Sequence, residues 1–208
     1  MTRFSPARLM ALLAAAFALF AAGVPASATL AELTRHLEST RTMTADFSQA
    51  AADGSVTTGT LYLQRPGKIR FQYQKGVPLL VVSNGKSLDV VDYEVRQVQK
   101  YPIGETPLSV LLDPKADLGK FAEVKSSTKD ALIVEARDRK HPEYGIITIY
   151  LRRKASAPGG LSLAGWNVVD SQGNTTRVTL SDVKFNTALP KNVFRYKDPR
   201  AGSGRPGR

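Results

Sequence analysis

The residues that usually carry chemistry are few and scattered. The chain has no Cys and two His, and these stand in unrelated contexts: His36 beside an apolar helical stripe, His141 in a Lys-His-Pro-Glu turn. Thiol chemistry and a His-based zinc site therefore have almost nothing to work with. Gly160-Leu161-Ser162-Leu163-Ala164 has half the pattern of a nucleophile elbow, but it lacks the second glycine and lies in a strand-like run. Asp89 with Asp92, and Asp113 with Asp117, are spaced as carboxylate pairs, yet their neighbours are turns, where Asp is the expected residue. Gly104-Glu105-Thr106 has neither the Lys nor the preceding pattern of a phosphate-binding loop. The expectation is a chain that is not an enzyme, with no catalytic residues, no metal and no cofactor.

What the residues do specify is a sheet with one greasy and one wet side. In Gly59–Lys75, Leu61 and Leu63 face one way and Thr60, Tyr62 and Gln64 the other; after a turn, Ile69, Phe71 and Tyr73 alternate with Lys68, Arg70 and Gln72. Period two means half-buried strands. Between them Arg65-Pro66-Gly67-Lys68 has Pro where its fixed φ fits and Gly where a type II turn needs positive φ, which predicts an antiparallel hairpin.

Before this hairpin, residues 1–28 carry a basic start (Arg3, Arg8), an apolar run from Leu9 to Val24, Pro25, and the small-x-small ending Ala26-Ser27-Ala28. That is the pattern of a removed signal peptide, which predicts export and a mature start at Thr29. The next residue is not Cys, so no lipid anchor is indicated, and a soluble product in an exported compartment is expected. Formal charge is +11, or +9 without Arg3 and Arg8. In an exported protein such a balance points away from nucleic acid and toward anionic membrane surfaces or an acidic protein, with solubility as the bland reading for most of the cations.

Residues 29–197 have the length of one domain with its own core. Thr29 and Glu32 have capping-box spacing, and Leu30, Leu33 and Leu37 share one helical face. Strands are predicted at Met43–Gln49, in the hairpin, at Leu79–Ser83 and Ser87–Val91 around Asn84-Gly85, and at Val95–Tyr101. Thr106 as cap, Pro107 at the first helical position, apolar Leu108, Leu111 and Leu112, and Pro114 then describe a short amphipathic helix, followed by a turn of helix at Leu118–Phe121. Strands resume at Ala122–Ser127, Ala131–Arg137, Gly145–Arg152, Leu161–Asp170 and Thr175–Phe185, with a last short one through Val193, Phe194 and Tyr196. Residues 198–208 read as a disordered basic tail. The fold class expected is mainly β with a few helices: about eleven antiparallel strands, too many for a flat open sheet, that curl into a barrel or half-barrel which the helices could plug.

Several of these motifs, in this order, resemble the LolA family of periplasmic lipoprotein carriers: Phe47-Ser48-Gln49, Gly59-x-Leu61, Gln64-Arg65-Pro66-Gly67, Ser83-Asn84-Gly85-Lys86-Ser87-Leu88 and Thr106-Pro107-Leu108-Ser109-Val110-Leu111-Leu112. The resemblance spans Thr29 to about Tyr196. It implies an incomplete, half-open antiparallel β-barrel of about eleven strands closed by a helical lid, and a monomeric periplasmic chaperone that shields the acyl chains of triacylated lipoproteins. The partners it implies are an inner-membrane ABC-type lipoprotein release complex and an outer-membrane receptor or the outer membrane surface itself. Carried over by position, Arg65 becomes a latch on the lid, against the bland reading of a surface arginine at a hairpin end. Ile69 and Phe71 stand where the family has large apolar groups at the cavity mouth, with Leu61, Leu63, Tyr73 and Val81 as further cavity residues; core packing is the competing reading. Leu30, Leu33, Leu37, Leu108, Leu111 and Leu112 are the lid candidates. A sensor or scaffold of the same fold, binding a protein or lipid without carrying it, is the alternative.

Overall fold

The computed structural model describes residues 26–106 and 108–201, with side chains from Thr29 onward. The predicted leader up to Pro25, Pro107 and the end of the tail from Gly202 lie outside the described residues.

Helix α1 spans Ala26–Ser39, and six strands follow as a meander: β1 Thr42–Ala50, β2 Val56–Gln64, β3 Lys68–Tyr73, β4 Leu79–Asn84, β5 Ser87–Asp92 and β6 Gln97–Pro102. A 3-10 turn at Ile103–Glu105 and the short helices α2 (Ser109–Leu112) and α3 (Leu118–Phe121) lead into a second meander. Its strands are β7 Ala122–Ser127, β8 Ala131–Arg137, β9 Ile146–Arg153, β10 Leu161–Val169 and β11 Thr175–Phe185. The meanders join where β1 pairs with β11, giving one antiparallel 11-stranded sheet in the order β6-β5-β4-β3-β2-β1-β11-β10-β9-β8-β7. The edges β6 and β7 are not paired with each other, so the sheet is not closed.

Alternating burial decides what lies inside. Met43, Ala45 and Phe47 of β1, Leu61 and Leu63 of β2, Leu132, Val134 and Ala136 of β8, and Ile147, Ile149 and Leu151 of β9 are all buried, with half-exposed or exposed residues between them. They meet Leu33 and Leu37 of α1, Leu111 and Leu112 of α2 and Leu118 of α3 in a single core cluster. The chain passes from one sheet edge to the other through residues 103–121, so the segment that fills the open side is the connection between the unpaired strands.

At the tip of the β2–β3 hairpin the Arg65–Pro66 peptide is cis, and Gly67 takes the expected positive φ, 76°. A Cβ at Gly67 would stand 2.8 Å from Gly85 Cα, because the two hairpin tips abut. Thr29 is not a cap: α1 is already under way at Ala26, and Thr29 is buried within it. Thr106 does not cap α2 either; its Oγ1 donates to Ile103 O (2.8 Å), ending the 3-10 turn, and Leu108 holds the N-cap position of α2. Finally, Val193, Phe194 and Tyr196 form no strand; Phe194 and Tyr196 lie across the outside of β4 and β5, packed against Leu80, Val82 and Val91. That second, smaller core explains why all of Leu79-Leu80-Val81-Val82 is apolar: Leu79 and Val81 join the main core, Leu80 and Val82 the outer one. At the sheet edge, β6 starts at Gln97 rather than Val95.

Candidate functional site: a latched apolar interior

The β2–β3 hairpin puts its apolar side chains in register across the concave face: Leu61 opposite Phe71, Leu63 opposite Ile69, and Phe71 opposite Val81 of β4. Leu61, Leu63, Ile69, Phe71 and Tyr73 are buried, and Val81 is half-buried against the same cluster. Four aromatic rings run in series, Tyr73–Phe47–Phe71–Trp166, each edge-on to the next at 5.3, 5.3 and 6.0 Å. Such pairs add about 0.5–1.5 kcal/mol each beyond area burial. Burial pushes the Tyr73 hydroxyl above its usual pKa, and the hydroxyl is satisfied by Gln49 Oε1 at 3.0 Å.

The leucines expected in the lid divide by depth. Leu33, Leu37, Leu111 and Leu112 are at most 1% exposed and fill the concavity, whereas Leu30 and Leu108 are half-buried at its margin. A four-residue α2 has no stability of its own and keeps its shape through this burial. Where its seam meets the β8–β9 turn there is a cleft of about 240 Å³, lined in part by Val110, Ala116, Phe121 and Tyr144.

Arg65, at the hairpin tip, ties the helical segments to the sheet. Its Nε donates to Leu111 O (2.8 Å) and its Nη1 to Thr40 O (3.0 Å), just past the end of α1. Gly67 N–H adds a bond to Leu112 O at 3.0 Å. Among the described residues Arg65 is the only buried Lys or Arg, and no ion pair accompanies it. Burial lowers its pKa to about 10, which leaves it charged at neutral pH. A planar cation reaching two carbonyls from different segments is a contact that a lysine would not reproduce.

A second set of contacts holds α1 on the other meander. Glu32 pairs with Arg153 at the end of β9, which also donates to Thr128 O (2.8 Å) and Ser127 Oγ (2.9 Å). His36 is buried, not at a boundary as its position beside the apolar stripe had suggested. Its Nδ1 lies 2.7 Å from Pro158 O, and its ring is edge-on to Phe185 at 5.9 Å. Desolvation, with the nearby Arg65 charge adding to it, brings its pKa down to about 4, so Nδ1–H of a neutral ring is the donor. Gly159 permits this approach: with φ at +63° its backbone lies so close that a Cβ would stand 2.6 Å from His36 N.

The carboxylates that had suggested pairs are used otherwise. Asp89 is buried, which alone would raise its pKa, but hydrogen bonds from Lys100 (2.5 Å), Ser87 (2.7 Å) and Tyr196 (2.8 Å) outweigh that and lower it. Asp92 accepts from the backbone of Glu94 and Val95, Asp113 accepts from Lys115 N, and Asp117 pairs with Lys120. Among the described residues no group of three or more His, Cys, Asp or Glu is placed to hold a metal ion, and no helix is long and apolar enough to cross a membrane.

Residues 38–197 match the family model described as outer membrane lipoprotein carrier protein LolA. The chain is 31% identical over 173 residues to an outer-membrane lipoprotein carrier protein of Dechloromonas aromatica, covering 78% of this chain and 80% of the relative. It is 27% identical over 196 residues to the protein of the same name from Chromobacterium violaceum, covering 91% and 93%. Among solved structures, an uncharacterized conserved protein from Thermus thermophilus superposes with a TM-score of 0.50 at 12% identity, over 82% of this chain and 94% of that one. That likeness is one of fold. With the sheet left open, the helical segment across its gap and this sequence match, the chain belongs to the LolA family of outer membrane lipoprotein carrier proteins.

Proposed function

We propose that this protein is a periplasmic carrier that takes triacylated lipoproteins from an inner-membrane ABC-type release complex and hands them to an outer-membrane receptor or to the outer membrane itself. In this reading residues 1–28 are removed as a leader, residues 29–197 are a monomeric carrier domain, and residues 198–208 are a basic tail. The single observation that carries it is Arg65: a buried cation bound to two carbonyls of the helical segments above an interior lined by aliphatic and aromatic side chains.

Burying acyl carbon is worth about 0.8 kcal/mol per methylene, so one long chain offers roughly 10 kcal/mol. In the empty protein Leu33, Leu37, Leu111 and Leu112 occupy the concave face. Cargo displaces them from Leu61, Leu63, Ile69, Phe71, Tyr73 and Val81, and the lid leucines then cover acyl chain instead of sheet. This exchange of one apolar contact for another returns part of the acyl energy and keeps binding reversible. Arg65 sets the balance by stabilising the empty, closed form. Direction then follows from the affinities of donor, carrier and acceptor, with no reaction catalysed by this chain.

Native mass spectrometry of the protein isolated from periplasm tests the reading. A one-to-one complex with a triacylated lipoprotein is expected; recovery of the protein solely free, while lipoproteins accumulate in the inner membrane of the same cells, contradicts it.

A further inference from the structure

The chain after β11 crosses the outside of the sheet between two anchors. At the first, Asn186 N–H donates to Thr42 O (2.8 Å) and Thr42 Oγ1 to Thr187 O (2.7 Å). At the second, Arg70 Nη1 donates to Val193 O and Arg195 O, both at 3.0 Å, and Tyr196 closes on buried Asp89. The segment between them, residues 188–192, is folded on itself by turn bonds from Val193 N–H to Pro190 O and from Arg195 N–H to Asn192 O. With the ends of β1–β4 it lines a groove of about 510 Å³, the size of a ligand site. Because firm anchors hold both ends, the gap is preformed.

Leu189, Pro190, Val193 and Phe194 supply its apolar lining; Lys68, Arg195 and the amides of Gln64 and Asn192 supply polar groups, and no acidic residue lines the groove. Lys68 Nζ lies 5.9 Å over the Phe194 ring, so it is held toward the groove by a cation–π contact. Amides beside cations match a peptide backbone that carries carboxylates, since the amides pair with its N–H and C=O groups and the cations with its side chains. The position is telling as well: Thr42, Gln64 and Lys68 flank the Arg65–Gly67 tip, at the rim of the apolar interior.

We propose that this groove binds an extended acidic peptide, and that its occupant is the polypeptide of the cargo just beyond its acylated N-terminus. The proposal rests on the carrier reading, because acyl chains seated inside oblige the attached polypeptide to leave over the rim. Binding here orients the cargo and adds affinity that a free fatty acid lacks.

Two experiments separate the groove from the carrier reading. The first titrates the purified protein with a labelled, non-acylated eight-residue peptide of alternating Ser and Glu, its Ser/Lys counterpart, and phosphatidylglycerol vesicles. Saturable binding of the Ser/Glu peptide that weakens with salt, falls at least tenfold in the Lys68→Glu/Arg195→Glu variant and passes there to the Ser/Lys peptide supports the groove. Binding of vesicles without the peptide, or equal peptide affinity in the variant, overturns it. The second places a photo-crosslinker at Asn192 during lipoprotein uptake: crosslinks within the first ten or so cargo residues are expected, and uptake without such crosslinks overturns the cargo assignment. Failure of the carrier reading would appear separately, as loss of acyl binding in a protein that still binds the peptide.

Discussion

Replacing Arg65 by Leu removes two hydrogen bonds from a charged donor, to Leu111 O and Thr40 O. Bonds of this kind contribute about 1.5–3 kcal/mol each, so roughly 3–6 kcal/mol of closed-state stabilisation is at stake. Burial works against it: the fall of the guanidinium pKa to about 10 corresponds to roughly 3 kcal/mol. The net latch is then at most about 3 kcal/mol, a factor of up to roughly 150 in the closed-to-open ratio. Since the closed, empty form competes with cargo, losing the latch raises apparent acyl affinity by up to that factor and slows handover to an acceptor. Titration with a fluorescent fatty acid reads the first effect, and transfer from loaded carrier to outer-membrane vesicles reads the second. Arg65→Lys should fall between, because an ammonium cannot span both carbonyls as the guanidinium fork does. A folded Arg65→Leu protein that binds the probe no more tightly than the parent would refute the reasoning.

The contacts around α1 and the outer core give three further expectations. His36 has a folded pKa near 4 against 6.5 unfolded, so its contribution is whole above pH 6.5 and is lost as pH falls toward 4. Between pH 7.5 and 4.5 this costs about 2.5 kcal/mol, or roughly 5–10 °C in Tm; His36→Gln, whose amide can still donate to Pro158 O, should lose that part of the pH dependence, and an unchanged profile would show that His36 does not titrate on unfolding. Gly159→Ala puts a methyl 2.6 Å from His36 N at a φ of +63°, and faster amide exchange throughout α1 is expected, whereas unaltered exchange would contradict the packing. Tyr196→Phe leaves buried Asp89 short of one donor and should cost about 1–3 kcal/mol in chemical denaturation without changing acyl-probe affinity, since it acts on the outer face; a change in that affinity would tie the outer core to the cavity.

Most strands could be read from period two and from turn residues, and β7, β8 and β11 begin and end where the alternation does. The inward set Leu61, Leu63, Ile69, Phe71 and Tyr73 was equally legible, because a half-buried strand shows its buried side in its pattern. Less could be seen where several segments decide together. Arg65 looks like a surface arginine until the ends of α1 and α2 are brought over it. His36 beside a leucine stripe is ambiguous until the β9–β10 loop, through Gly159, closes on it. The outer core had one signal in the sequence, four consecutive apolar residues at Leu79–Val82, which a one-sided strand would not need. Phe194 and Tyr196 read as part of a last short strand, but their packing on Leu80, Val82 and Val91 holds them without a ladder. The cis Arg65–Pro66 peptide left no mark that distinguishes it from a trans turn.

Carriage itself is tested most directly by incubating the purified protein with inner-membrane vesicles or spheroplasts that hold a radiolabelled lipoprotein and then measuring the label in the soluble fraction. The account predicts label released as a soluble complex containing one lipoprotein per carrier, and competed by a long-chain fatty acid. Label that stays in the membrane at every carrier concentration, from a donor shown to release lipoprotein to another carrier, would contradict it.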